Sequence, residues 1–305
     1  MKSFTSDQTN LHHVEISDTN TFTNEEISSS KTIDTKYGEK LNLHFTKFPV
    51  LLPVIHLSSV EQSLRNARLC FSIEGIDGII LIAHSHHHQS LSSLQLTAQC
   101  YAAIRNEFPN RFIGVNVLKF QHAPLEVFDW VMKNCPGCQC IQTDQAWACV
   151  NKNLAKRILE ARIRSGFSGI YMGGVAFKYQ ERVHEMQDAT PELPIEAIKA
   201  LKHAGSLTTK YVDVVITSGT KTGDLPCLEK AKTLNSVCQP LAVSGAGEYL
   251  EDFAPFAQVF LSATFLSKEC PKHGIIDSCD ESFCELDEEK LRKWVQRRNN
   301  YLLDN

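Results

Sequence analysis

No apolar run in this sequence of 305 residues approaches the roughly 18 residues that a membrane-spanning helix needs. The first ten residues are polar and lack the apolar stretch of a secretory signal. We therefore expect no membrane partner and a cytoplasmic location. Eleven cysteines, an odd number in a chain without an export signal, favour reduced thiols over a disulfide framework.

Clustered basic residues are also scarce. The formal net charge is −4, and lysines and arginines are spread along the chain except at residues 290–298. A nucleic-acid-binding surface normally carries a basic stripe, so we expect no nucleic-acid partner. The motifs G-x-x-x-x-G-K-[ST] and H-E-x-x-H are both missing. We accordingly expect no bound cofactor.

Apolar runs alternate with amphipathic segments from residue 48 onward. The runs predict strands at 50–57, 78–84, 111–118, 138–144, 168–172, 211–217, 240–244 and 258–264. Helical spacing of apolar residues marks 60–73, 91–108, 125–133, 154–165, 194–204 and 225–234. Such alternation predicts right-handed βαβ units and a parallel sheet. Eight strands over ~250 residues favour an α/β fold of the (β/α)8 TIM barrel type over an open doubly wound sheet.

The two ends of the chain differ from this pattern. Residues 1–45 are polar and rich in Ser and Thr, which predicts a disordered or loosely packed extension. The barrel is then expected to span residues 46–305. Residues 287–303 predict a closing helix, because acidic residues occupy its first turn and basic residues follow, as the helix dipole favours.

The most informative segment is residues 211–223, YVDVVITSGTKTG, where a β-branched run stops at small hydroxyl residues and glycines. Glycines let backbone N–H groups turn toward one point, and a loop of this kind before a helix favours an anion, most often phosphate. Residues 243–247, VSGAG, repeat the chemistry. The alternative is that the glycines only make tight turns. The predicted phosphate-binding residues are Thr217, Ser218, Gly219, Thr220, Lys221, Thr222, Gly223, Ser244 and Gly245.

Barrel active sites are built at the carboxyl ends of the strands. The predicted strands end at polar residues, of which we select His56, His84, Asn116 and Asp144 as catalytic candidates. Asp144 is the candidate general acid or base, because the mouth of a barrel offers a partly desolvated position. Asn116 and Thr217 are its candidate hydrogen-bonding partners. Alternatively, the Asp144 side chain caps the turn that follows it.

The segment after the fifth strand adds three further candidates. Gly173 and Gly174 permit a close approach of backbone to ligand. Lys178 is placed to reach a phosphate or a carboxylate. The competing interpretation is the start of a helix with Lys178 in solvent.

Histidines and cysteines cluster without a recognised ligand spacing. His84 is followed by three histidines at 86–88, but consecutive side chains point in different directions, so we predict a surface loop and no metal site. Cys135, Cys138 and Cys140 supply only half of a paired Cys-x-x-Cys zinc motif. Buried free thiols are the favoured interpretation over a zinc knuckle or a redox pair.

Three segments resemble one known family. The sequences PVIHL at 53–57, DVVITSGTKTG at 213–223 and PLAVSG at 240–245 are similar to those of the BtpA-like proteins. That family is placed among the ribulose-phosphate-binding barrels, beside phosphoribosylanthranilate isomerase and indole-glycerol-phosphate synthase. The resemblance covers about residues 48–266 and implies a (β/α)8 fold. It also implies a phosphate pocket lined by Ser218, Gly219, Thr220, Gly223, Ser244 and Gly245.

The resemblance does not imply a reaction, and some family members are linked to photosystem I biogenesis. The chain departs from related barrels at two places, Ala246-Gly247 and Thr264-Phe265. Phe265 adds bulk where a backbone N–H would approach phosphate, so we expect it to narrow the pocket. The chain is therefore interpreted as a divergent member.

Three functions are compatible with these patterns. The first is an enzyme acting on a phosphorylated sugar or nucleotide, by isomerisation or by phosphoribosyl or glycosyl transfer. The second is a non-catalytic barrel that binds a phosphorylated ligand or assists assembly of another protein. The third is a metal-dependent hydrolase using His56, His84 and Asp144. A phosphorylated small molecule is the expected partner, and self-association is left open.

Overall fold

The computed structural model describes residues 36–84, 92–178, 180, 193–268 and 285–304. The predicted disorder of residues 1–35 and the predicted surface loop at 86–88 lie outside this part of the chain. Eight parallel strands close into a barrel in chain order, which confirms the predicted fold. The strands are β1 (Val50–His56), β2 (Gly78–Ile82), β3 (Phe112–Asn116), β4 (Cys140–Thr143), β5 (Ile170–Gly174), β6 (Val214–Thr217), β7 (Leu241–Ser244) and β8 (Val259–Ser262). Closure pairs Val50 of β1 with Val259 of β8.

Except for the first helix, which precedes β1, the described helices follow the strands on the outside of the barrel. The described helices are α1 (Lys36–Asn42), α2 (Val60–Ser72), α3 (Ser93–Glu107), α4 (Val127–Asn134), α5 (Lys152–Ser165), α6 (Ile195–Thr208), α7 (Leu228–Asn235), α8 (Leu250–Phe253) and α9 (Glu288–Asp304). Short 3-10 turns occupy Leu118–Gln121, Gly247–Tyr249 and Thr264–Leu266. Ser59, Ser92 and Asn151 accept hydrogen bonds from backbone N–H groups in the first turns of α2, α3 and α5.

Side chains alternate between two apolar layers along each strand. On β1, Val50, Leu52 and Val54 pack inside the barrel, whereas Leu51 and Ile55 pack between the strands and the helices. The barrel interior is therefore a filled core up to the carboxyl ends of the strands, where polar residues replace the aliphatic ones.

Helix α1 packs at the amino end of the barrel, which we call the floor. Leu41 and Phe45 are buried and belong to the apolar cluster of the barrel interior. The ring of Phe45 lies 4.7 Å from that of Phe112, centroid to centroid. Because these two side chains complete the core, residues 36–45 belong to the barrel. The compact unit that contains the barrel includes these residues.

Asp213, just before β6, is a buried carboxylate at the floor. Its carboxylate pairs with the buried guanidinium of Arg162 and lies 3.3 Å from the ammonium of Lys40. It also accepts the backbone N–H of Tyr171 at 2.8 Å. A buried carboxylate with two cations and a backbone donor is a satisfied structural group.

The predicted closing helix is present as α9. Leu291, Trp294 and Val295 are buried, and Arg298 donates to the carboxylate of Asp77 at 2.7 Å. That carboxylate also accepts the backbone N–H of Leu51, so α9 is tied to the start of β1. Within the described ranges, no helix has the length and apolar character to cross a membrane.

Candidate functional site

The carboxyl ends of the strands surround a cavity of about 400 Å³. The loops after β6, β7 and β8 form most of its wall, together with His56 at the end of β1 and Lys178 after β5. The predicted phosphate-binding residues in this wall are Lys178, Ser218, Gly219, Lys221, Thr222, Gly223, Ser244 and Gly245. The structure thus brings the two predicted anion loops to a single cavity.

The loop after β6, residues 218–227, folds back on itself. A Cβ atom at Gly219 would lie 2.3 Å from the backbone oxygen of Asp224, so only glycine fits there. Gly223 has a φ of +87°, in the left-handed region that glycine adopts without strain. The Thr220 hydroxyl donates to the Asp224 carboxylate inside the loop, so Thr220 shapes the loop and lies outside the cavity wall.

The segment after β5 docks onto this loop. The N–H of Val175 donates to the carbonyl of Ile216 at 2.9 Å, and the N–H of Lys178 donates to the Ser218 hydroxyl at 2.9 Å. The ammonium of Lys178 lies 3.4 Å from the Thr222 hydroxyl. Lys178 therefore lines the cavity next to the loop after β6.

Gly173 and Gly174 have a different role from the predicted ligand contact. Both are buried and neither belongs to the cavity wall. A Cβ at Gly174 would lie 1.9 Å from the backbone oxygen of Asp144, and one at Gly173 would lie 2.9 Å from the Cβ of Ala146. The carbonyl of Gly174 also accepts the N–H of Ala146 at 3.0 Å. The two glycines make room for the chain after β4 and, at Gly173, for the side chain of Val212.

The carboxylate of Asp144 is buried at the mouth of the barrel. It accepts hydrogen bonds from the side-chain amides of Asn116 at 2.9 Å and Gln121 at 3.1 Å. Burial raises the pKa of Asp144, while the charge of Lys178 and the two amides act in the opposite direction. Since both oxygens face side-chain amides, the alternative in which Asp144 caps its own turn is not what the contacts show. The carboxyl group does not belong to the cavity wall.

Thr217, the other predicted partner of Asp144, points elsewhere. Its hydroxyl is fully buried and donates to the carbonyl of Ala176 at 3.3 Å. Gln121, in the 3-10 turn after β3, takes the place foreseen for Thr217. Gln180 adds a contact to the backbone oxygen of Asp144. Gln121 lies 23 residues before Asp144, so no local sequence pattern predicts that these two side chains pair.

His56 and His84 form a pair at the ends of β1 and β2. The Nε2 of His84 lies 3.0 Å from the Nδ1 of His56, and the rings stack with centroids 4.8 Å apart. One nitrogen must donate and the other accept, so the pair shares a proton. His56 also faces the cavity. Within the described part of the chain, no three His, Cys, Asp or Glu side chains are placed to hold a metal ion.

Phe265, predicted to narrow the pocket, does belong to the cavity wall. Its ring packs over Gly247, where a Cβ would lie 2.6 Å from the ring carbon Cδ1. The departures at Gly247 and Phe265 are thus complementary, because the missing side chain makes room for the ring. Part of the bulk of Phe265 is taken up by this packing and does not enter the cavity.

The cavity wall carries charges of both signs. Lys178, Lys221 and Lys290 stand against Asp224 and Glu248, an excess of one positive charge. Lys290 comes from the first turn of α9, which the sequence alone did not place near the barrel mouth. A slightly positive wall with hydroxyl and glycine donors suits a small anion.

The three cysteines at 135, 138 and 140 pack in the apolar core as free thiols. Cys135 and Cys140 are buried, and the thiol of Cys138 donates to the carbonyl of Cys140 at 3.2 Å. Burial raises the pKa of Cys138 to about 12. A thiol with so high a pKa is neither a good nucleophile nor a ready metal ligand.

No protein-family model and no curated protein matches the sequence. Solved structures do match the fold. GGGPS from Thermoplasma volcanium aligns with a TM-score of 0.52 and 12% identity over 89% of this chain and 97% of that chain. A mutant tryptophan synthase alpha-subunit from Pyrococcus furiosus gives a TM-score of 0.52 and 13% identity over 84% and 100% of the two chains. A chain of the tryptophan synthase α2β2 complex from the same organism gives 0.51 and 11% over the same shares. At these identities the likeness establishes the barrel fold.

Proposed function

We propose that this chain is an enzyme acting on a phosphorylated sugar or nucleotide, with the phosphate held between the loops after β6 and β7. The observation that carries the proposal is the cavity that both loops line together with Lys178 and Lys221. Phosphate sites of this architecture are frequently built from loops after the last strands. The resemblance to the BtpA-like barrels supports the same location.

The phosphate site and the candidate acid or base are connected through Lys178. Its ammonium lies against Thr222 of the loop after β6, and its charge opposes the rise in the pKa of Asp144 that burial causes. A phosphate that draws Lys178 toward itself weakens this effect. Asp144 would then bind its proton more tightly, as a general acid requires.

Isomerisation and phosphoribosyl or glycosyl transfer both fit this arrangement. Each needs an anchored phosphate, which fixes the sugar, and one group that moves a proton. Asp144 is oriented by Asn116 and Gln121, and the His56–His84 pair supplies a second proton-transfer group at the cavity.

A non-catalytic barrel that binds a phosphorylated ligand is the second candidate. The observation in its favour is that the carboxyl group of Asp144 lies outside the cavity wall. The metal-dependent hydrolase is not supported, because His56 and His84 use ring nitrogens to contact each other.

Thermal melting in the presence of ribose 5-phosphate and nucleoside monophosphates, each beside its unphosphorylated counterpart, tests the proposal. Phosphate esters are expected to raise Tm in proportion to ligand concentration, whereas the unphosphorylated compounds have no effect. If no ester and no inorganic phosphate changes Tm, the proposed site does not exist.

Turnover separates the two candidates once a binding ester is known. Asp144→Asn should bind that ester and lose its conversion, while Asp252→Asn, a change at an exposed carboxylate on α8, should leave conversion intact. Conversion that survives Asp144→Asn would remove Asp144 from the reaction.

A further inference from the structure

Lys230 is a buried lysine that the site so far leaves unexplained. It lies on α7, is only 1% exposed, and is among the largest fully buried side chains. Its ammonium donates to the backbone oxygen of Ala176 at 3.0 Å and to that of Ser218 at 2.5 Å. Lysine is rarely buried unless its charge is satisfied, and here backbone carbonyls satisfy it.

The two carbonyls belong to the two segments that form the phosphate side of the cavity. Ala176 follows β5, and Ser218 opens the loop after β6. Ala176 has a φ of +47°, an unfavourable value for a residue with a side chain. Its carbonyl is held by both Lys230 and the Thr217 hydroxyl. Strained backbone of this kind persists only where neighbouring contacts fix it.

Ser218 lies between Lys230 and the cavity. Its carbonyl faces the buried ammonium, while Ser218 and Gly219 line the cavity. Its hydroxyl also holds the N–H of Lys178. The ammonium of Lys230 is therefore one residue behind the cavity wall, where little water is present to screen its charge.

We propose that Lys230 is a positioning residue of the anion site, which fixes the segments after β5 and β6 through their carbonyls and places a buried positive charge behind Ser218. This inference rests on the proposed phosphate site. Lys230 does not touch the ligand and acts through the backbone of Ala176 and Ser218.

Anion binding and protonation of Lys230 are thermodynamically linked, so the pKa of Lys230 reports whether its charge supports anion binding. Burial lowers the pKa of Lys230 to about 8, and the charge of the neighbouring Cys227 acts in the opposite direction. If the ammonium strengthens anion binding, a bound anion must raise the pKa of Lys230 by the equivalent amount. A lysine that only holds the fold together would keep its pKa unchanged when the anion binds.

Other charged groups near Lys230 are accounted for. Lys221 and Asp224 belong to the loop after β6, and Lys178 lies against that loop in the cavity wall. On α7 itself, Glu229 and Lys232 pair at 3.7 Å. The charged side chains of α6, which packs against α7, are exposed: Glu196, Lys199, Lys202 and His203. On α8, Glu251 pairs with Arg297 and Asp252 is exposed.

The first experiment is calorimetric titration of inorganic phosphate at pH 7.5 into three full-length proteins. Lys230→Met keeps an unbranched side chain but removes the charge and both hydrogen bonds. Lys232→Met removes the same charge from the outer side of the same helix and is the matched control. We expect phosphate affinity to fall about tenfold in Lys230→Met and to stay unchanged in Lys232→Met. Equal affinities in all three proteins would overturn the inference.

The second experiment uses the wild-type protein and stands even if Lys230→Met does not fold. The ¹³Cε resonance of Lys230 is followed from pH 6 to 10 with and without sulfate, a dianion over this whole range. Sulfate is expected to raise the pKa of Lys230 by about one pH unit, which corresponds to tenfold coupling. Sulfate that binds without moving this pKa overturns the role of Lys230 and leaves the proposed function intact. Absence of both phosphate and sulfate binding overturns the proposed function and this inference together.

Discussion

Two buried carboxylates at opposite ends of the barrel have opposite surroundings. Asp213 at the floor contacts the guanidinium of Arg162, the ammonium of Lys40 and a backbone N–H. Asp144 at the mouth contacts two uncharged amides, and burial raises its pKa. The floor carboxylate is neutralised by direct cationic partners. The mouth carboxylate is held in place while its proton affinity is increased.

The packing around the two carboxylates also differs. At the floor, Leu41 and Phe45 fill the barrel end and complete an apolar core. At the mouth, the loops after β6 and β7 leave a cavity of about 400 Å³. In barrels of this type the amino end contributes stability and the carboxyl end carries function. The same strands thus end in a filled apolar core at the floor and in an open cavity at the mouth.

The largest effect is expected at the floor. Asp213→Asn leaves the buried guanidinium of Arg162 without its carboxylate, and breaking a buried ion pair costs about 3–5 kcal/mol. The free energy of unfolding from urea denaturation should fall by that amount. Phosphate binding by the remaining folded protein should be unaffected. A loss below about 1 kcal/mol would show that the floor does not depend on this pair.

The second effect contrasts two glycines. Gly219→Ala forces a Cβ against the carbonyl of Asp224, so the loop after β6 must move. Overpacking of this kind costs about 1–3 kcal/mol, and we expect phosphate binding to be lost with it.

The matched control lies in α1 at the floor. A Cβ at Gly38 meets nothing within 4 Å, so Gly38→Ala should stabilise the helix by about 0.5–1 kcal/mol. Urea denaturation and phosphate titration of both variants measure the contrast. Equal behaviour of the two variants would contradict a specific role for Gly219.

A third effect is confined to binding. Lys178→Met removes the ammonium next to Thr222, and we expect phosphate affinity to fall about tenfold, or about 1.4 kcal/mol. Lys202→Met on the exposed face of α6 is the control and should bind as wild type does. Isothermal titration at low salt gives both values. If the two variants bind equally well, Lys178 is not part of the site.

The smallest effect concerns Asp144 and pH. Its folded-state pKa is raised above the unfolded value, so its protonated form favours the folded state. Wild-type stability relative to Asp144→Asn should therefore increase as the pH falls from 7 to 4 and level off below the unfolded pKa. The relative stability should change by about 1.4 kcal/mol for each pH unit by which the pKa is raised. If wild type instead became more stable relative to Asp144→Asn as the pH rises, the raised pKa would be contradicted.

Much of the barrel could be predicted from local patterns. The apolar runs alternate with amphipathic segments, and each of the eight predicted strands overlaps an observed one. Polar residues after these runs mark the mouth, because a polar group at the end of a buried strand is costly unless it is used. Ser218, Gly219, Ser244 and Gly245 belong to the two Gly- and hydroxyl-rich loops predicted to bind an anion, and they line one cavity in the structure.

Other features depend on contacts between distant segments. Leu41 and Phe45 stand in a polar stretch, so their burial follows from the open end of the barrel and not from their own periodicity. Gly174 is required by the carbonyl of Asp144, thirty residues earlier in the chain. Lys230 lies in an amphipathic helix where a lysine is ordinarily solvated, and only the fold reveals the carbonyls around it.

The most direct measurement is a crystal structure of the protein soaked in tungstate, a tetrahedral oxyanion with strong anomalous scattering. We expect one dominant anomalous peak between residues 218–224 and 244–245, within hydrogen-bonding distance of Lys178 or Ser218. A dominant peak elsewhere on the surface, or an empty cavity at saturating tungstate, would contradict the claim that the barrel mouth is an anion site.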